Sequence, residues 1–139
     1  MTWFFWALSS AFFAGVTALL AKIGVSGLNS NLATAIRTSV ILIFSCAIVF
    51  VTSGGVDVNS ISRKTWVFLV LSGVATGLSW LCYFRALQLG PASRVAPLDK
   101  LSVPLVMVFA CLLLGEKLTA WAIAGGLLIT AGAIAMVLG

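Results

Sequence analysis

Apolar positions in this chain come in long runs, and polar positions come in short clusters between them. Five runs extend roughly from Trp3 to Ile23, Leu32 to Thr52, Trp66 to Leu87, Val95 to Leu114 and Ala120 to Leu138. A helix needs about 20 mostly apolar residues to cross the hydrocarbon core of a bilayer. Each run therefore predicts one transmembrane helix. The segments between them read "GVSGLNSN", "SGGVDVNSISRK", "GPAS" and "GEKLT", with the Gly, Ser, Asn and Pro that turns demand. Nothing is left over for a soluble domain. Residues 1–139 read as a single five-helix transmembrane domain, an all-α membrane protein.

Composition sharpens this picture. The chain is 62% hydrophobic and only 8% charged, where a soluble domain carries roughly 25% charged residues. A chain of this size leaves much of its surface in its solvent, so that solvent is lipid. The first run has no basic residue before it and is too long for a cleaved signal peptide, so it reads as a mature membrane helix. Cys46, Cys82 and Cys111 all fall inside spans and read as small packing residues, not a disulfide framework. The chain has no His, which excludes a histidine metal site or proton switch. We expect no metal and no cofactor. The net charge of +5 is spread along the chain without a basic run, so no nucleic-acid partner is expected.

Five spans put the two ends of the chain on opposite sides of the membrane. The N-terminal side collects Arg63, Lys64 and Lys117. The other side collects Lys22, Arg85 and Arg94, with Arg37 and Lys100 deeper in the spans. Lys and Arg near loops set orientation, and here the two sides are close to balanced. Such a unit can insert both ways up and pair with itself antiparallel. That would reproduce with two copies the inverted repeats many transporters carry in one chain. The other reading is a single orientation, as a monomer or parallel dimer.

One stretch breaks the apolar pattern. "VAPLDKLSVPL", residues 95–105, places Asp99 and Lys100 between Pro97 and Pro104. A charge at bilayer centre costs about 2.5–3.5 kcal/mol on insertion scales, less near the ends. Pro104 has no N–H for the carbonyl of Lys100, so a break and a freed carbonyl are expected. Pro97 is expected nearer the helix start, where a missing donor matters less. Adjacent residues project about 100° apart on a helix, so Asp99 and Lys100 are expected to seek other partners, Arg37, Arg85 or Arg94. The stretch reads either as one wall of a functional cavity, as transporters build from interrupted helices, or as a structural ion pair.

Other spans carry polar-aromatic stripes at helical spacing: Trp6, Ser9, Ser10, Phe13 and Thr17; Thr34, Arg37, Thr38 and Ser45; Thr76, Ser79, Trp80 and Tyr83. Such stripes turn inward in membrane bundles, although Ser and Thr also bond back to their own helix. The last span holds no charge and is crowded with Gly and Ala. Gly125, Gly126 and Gly132 are candidates for close helix packing, within the protomer or between protomers.

The second half, from "YFRAL" through "PLDKLSVPL" and "LGEKLT" to the Gly-rich last helix, resembles the EamA domain of the drug/metabolite transporter superfamily. The first half agrees in outline, through "AKIG" and "AIRTSV". The resemblance implies one EamA-like inverted-repeat unit per chain, of the short single-domain branch, where most members carry two. "GGLLITAGA" is similar to the dimerising helix of small multidrug resistance exporters, which place a coupling glutamate in the first helix. The first span here has no acid, and Asp99 is the one deep acid. Glu116 matches the family's "G-E" but falls at a loop.

The expectation is therefore not an enzyme but a secondary transporter. It would move a small polar or amphipathic metabolite across a bacterial or archaeal cytoplasmic membrane as an antiparallel homodimer. The substrate-binding candidates are Asp99, Lys100, Arg37, Arg85, Trp80 and Tyr83. The alternatives are a lipid-linked sugar flippase subunit and a non-transporting accessory subunit.

Overall fold

A computed structural model of the chain describes residues 2–53 and 61–139. Gly54, Gly55 and Asp57 of the second connection lie outside the described residues. The elements are α1 (Thr2–Gly24), α2 (Ser30–Ser53), α3 (Arg63–Leu89), α4 (Ala92–Asp99), α5 (Ser102–Leu114) and α6 (Ala120–Leu138). No strand occurs among the described residues. Helices α4 and α5 together form one span, Ala92–Leu114, and the described residues include five spans long and apolar enough to cross a membrane. The all-α, five-span reading of the sequence holds.

Three spans start two or three residues before the apolar run does, at Ser30, Arg63 and Ala92. The apolar run marks only the part of a helix that faces hydrocarbon. The polar first turn is set by its caps. Asn29 Oδ1 accepts from the Asn31 N–H at 2.9 Å, and Ser62 Oγ accepts from the Thr65 N–H at 3.1 Å. Pro91 stands extended ahead of α4 (φ −69°, ψ 143°), with its ring pre-set for the turn. Thr119 Oγ1 caps α6 through the Ala122 N–H at 3.2 Å. Gly115 ends α5 in the left-handed region (φ 68°), and the Glu116 N–H closes back on the Ala110 carbonyl at 3.2 Å. That closure requires a residue without a Cβ penalty.

The large apolar side chains point outward on every span, among them Phe13, Phe44, Leu71, Leu113 and Trp121. This suits a lipid solvent, where burying Leu against Leu gains no hydrophobic free energy and small residues mediate contact.

The chain divides into two compact units, Met1–Leu20 with Leu89–Gly139, and Ala21–Gln88. In the first, α4 and α5 pack on α6. Gly126 and Ala133, seven residues apart on α6, are buried. A Cβ on Gly126 would stand 3.1 Å from Met107 Sδ, so the glycine lets the thioether of α5 close on the backbone of α6. Gly125 and Gly132 have open space where a Cβ would be. In the second unit, Val25, Ala33, Phe84 and Leu87 are buried together with Ser30 and Thr34.

Candidate functional site

The fourth span breaks where its charges sit. Helix α4 ends at Asp99, eight residues from its start, or about 12 Å along the axis. Lys100 and Leu101 link it to α5. Through the link the hydrogen bonds tighten to a three-residue step. The Lys100 N–H reaches the Pro97 carbonyl at 3.0 Å, and the Leu101 N–H reaches Leu98 at 3.1 Å. The Val103 N–H reaches the Lys100 carbonyl at 3.0 Å. The sequence led us to expect that carbonyl to be freed by Pro104. Instead the tighter turn offers it the N–H one residue earlier, as 3₁₀ geometry permits. Pro97 also differs from expectation. Because α4 begins at Ala92, Pro97 is an interior residue and occupies the place of the donor that Ser93 would use.

Asp99 and Lys100 pair with each other, Nζ to Oδ2 at 3.5 Å. Other partners were expected, on the geometry of a continuous helix. The tightened turn leaves the two side chains on different bearings, and the long lysine stem folds back to make the pair. Their side chains are 40% and 56% exposed respectively. An exposed pair of this kind is weakly held, at about 0–1 kcal/mol. The carboxylate is thus neutralised locally without being sealed off.

The other unit holds the remaining candidates. Arg37 of α2 lies under two rings of α3, its guanidinium carbon 4.5 Å from the Trp80 centroid and 5.5 Å from that of Phe84. Tyr83 is within electrostatic reach of the same cation. The structure therefore brings Arg37, Trp80 and Tyr83 together. Arg85 belongs to a different stripe of α3 and donates to Gln88 Oε1 at 3.0 Å. Asp99 and Lys100 belong to the other unit. Three of the four stripe threonines bond to their own helices, Thr34 to the Ser30 carbonyl at 2.9 Å, Thr38 to Thr34 at 2.8 Å and Thr76 to Ser72 at 2.9 Å. They satisfy their hydroxyls locally.

Arg85 and Gln88 border a cavity of about 680 Å³ that is also lined by Leu28, Asn29, Ser30, Asn31, Leu81 and Cys82. Sequence reading missed Gln88. Its Nε2 donates to the Leu28 carbonyl and, at 3.5 Å, to the Val25 carbonyl, which ties the α1–α2 turn to the end of α3. Lys22 Nζ donates to the Leu87 carbonyl in the last turn of α3, where a cation suits the helix dipole. The available signal was an amide in the last turn of a span, able to reach carbonyls of the α1–α2 turn. Among the described residues no three His, Cys, Asp or Glu side chains gather as metal ligands.

Five membrane-length helices among the described residues, one of them broken at a charged pair, mark an integral multi-pass membrane protein. The chain belongs to the EamA-like transporter family, which it matches over residues 1–138. It is 55% identical over 133 residues to a Sinorhizobium sp. protein named as an uncharacterized transporter in the cobO 3′ region, which covers 96% of this chain and 94% of that one. No solved structure matches it.

Proposed function

We propose that the protein is a secondary transporter for a small polar or amphipathic metabolite, working as an antiparallel homodimer in a bacterial or archaeal cytoplasmic membrane. The observation that carries this reading is the open Asp99–Lys100 pair at the break in the fourth span. A carboxylate and an ammonium about a third of the way through a span are costly in hydrocarbon. They are tolerated where they border a wet cavity, which is also where non-helical backbone is tolerated. Asp99 and Lys100 anchor the solute. Within the other unit, Arg37 supplies a cation framed by the Trp80 and Phe84 faces with Tyr83 in electrostatic reach, and Arg85 supplies a second cation. Family membership and a relative named as a transporter support the class of activity. The near balance of Lys and Arg on the two sides supports the antiparallel pair.

The test is transport in proteoliposomes with panels of anionic, zwitterionic and cationic metabolites. Asp99→Asn should abolish uptake and export while the protein still elutes as the parent does. Parental transport by Asp99→Asn would overturn the assignment. Movement of lipid-linked sugars without solute flux would instead mark a flippase subunit. Obligate co-purification with another chain, and no flux alone, would mark an accessory subunit.

A further inference from the structure

We propose that the cavity between the α1–α2 turn and the end of α3 binds an oxyanion, a phosphate or carboxylate borne on an apolar body. The inference concerns binding and does not depend on whether a solute crosses the membrane.

Three features converge on this cavity. The first is the N-terminus of α2, a helix of 24 residues. Its first-turn N–H groups have no carbonyl partner within the helix and carry the positive end of the dipole. Asn29 Oδ1 takes the Asn31 N–H, and neighbouring first-turn N–H groups are left for a ligand.

The second is Ser30, whose hydroxyl opens the case independently. Ser30 is 8% exposed and lines the cavity. Its carbonyl accepts from Thr34, yet among the described residues its Oγ makes no hydrogen bond. No side-chain oxygen among the described residues is both sealed from solvent and unpartnered, so this hydroxyl opens onto the cavity and is free to bond what enters it.

The third is Arg85. Its guanidinium has five donors in a planar fork, and one of them rests on Gln88 Oε1. Gln88 is itself fixed by the Leu28 and Val25 carbonyls, so Arg85 is aimed by an anchored amide. Arg85 makes no ion pair among the described residues. Asp57, the one acid in sequence between residues 21 and 88, lies outside the described residues. Among the described residues the unit presents a cation, a hydroxyl and a helix N-terminus to one space, with no acid beside them.

Besides the polar Asn29 and Asn31, the cavity has an apolar wall formed by Leu28, Leu81 and Cys82. An inorganic ion would leave that wall unused. An anionic group on an alkyl or acyl body would cover it. Two sources offer this chemistry, an anionic lipid headgroup and a soluble amphipathic phosphate or carboxylate.

Cys82 is exposed on the cavity wall and gives a direct readout. In full-length protein carrying Cys46→Ala and Cys111→Ala, maleimide labelling of Cys82 is followed in detergent at matched ionic strength. Octyl phosphate and inorganic phosphate are added in one arm. In the other, the protein sits in nanodiscs of phosphatidylcholine with or without phosphatidylglycerol. Saturable protection by octyl phosphate identifies a soluble ligand, and protection by phosphatidylglycerol alone identifies a headgroup. Either outcome supports the site. Arg85→Gln should raise the concentration for half-protection about tenfold, Ser30→Ala about threefold, and Arg85→Lys should fall between parent and Arg85→Gln. Each variant must elute as the parent does. Absence of saturable protection in both arms, or protection indifferent to both Arg85→Gln and Ser30→Ala, overturns the proposal.

Discussion

Arg37 Cζ stands 4.5 Å from the centre of the Trp80 ring, with Phe84 one helical turn further along α3 flanking it at 5.5 Å. A guanidinium within a span has to be met by something other than bulk water. No carboxylate among the described residues of its unit meets it, and two ring faces do. The quadrupole of an indole attracts a cation by about 0.5–2 kcal/mol, more as water is removed. This contact therefore replaces a salt bridge and fixes the register of α2 against α3.

The pair should behave as a coupled unit. Arg37→Leu and Trp80→Leu are each expected to lower thermal stability in detergent. The double variant should lose about 1 kcal/mol less than the two singles summed. Strict additivity in that double-mutant cycle would show the stack to be incidental.

Gln88 holds two turn carbonyls, so its loss should be felt at the turn. Gln88→Leu keeps the volume and removes the donor, and is expected to cost about 1–3 kcal/mol in unfolding free energy. Hydrogen exchange at the α1–α2 turn should rise ahead of exchange in mid-span. An unchanged melting temperature would mean the Val25 and Leu28 carbonyls are satisfied without it.

On α6 two glycines should respond differently. Gly126→Leu overpacks against Met107 and is expected to cost about 1–3 kcal/mol within the protomer. Gly126→Ala asks only the flexible end of Met107 to shift, and should be near neutral. Gly132 meets nothing within 4 Å of a built Cβ, so Gly132→Leu should leave the protomer fold intact. If Gly132 is the seam between copies, that variant shifts the protein from dimer to monomer in mass photometry. An unshifted dimer removes α6 around Gly132 from the interface.

Orientation is testable in intact cells. Single cysteines placed at each end of a cysteine-free protein should both react with an impermeant maleimide from both sides of the membrane if insertion is dual. Labelling of one end from one side only would defeat the antiparallel pair and favour a parallel or heteromeric assembly.

Much of the molecule is legible in local sequence. The number of spans follows from hydropathy, because a helix in lipid is defined by the length of its apolar run. The broken fourth span follows from Pro97, Pro104 and the adjacent charges, because a missing N–H cannot be hidden by packing. Span ends were read two or three residues short at Ser30, Arg63 and Ala92, since hydropathy reports lipid contact and not helical hydrogen bonding.

The pairings were decided by tertiary structure. Trp80 and Arg85 both lie in the last ten residues of α3, and nothing in their spacing says that one faces Arg37 and the other Gln88. That depends on how α3 is rotated and slid against α2 and the α1–α2 turn. Asp99 and Lys100 meet because the lysine stem is long enough to fold back on its neighbour, a choice of rotamer that their spacing does not specify. Periodicity along one chain specifies which residues share a stripe. The partner of each stripe is set by rotation and register between helices, which only the packed fold supplies.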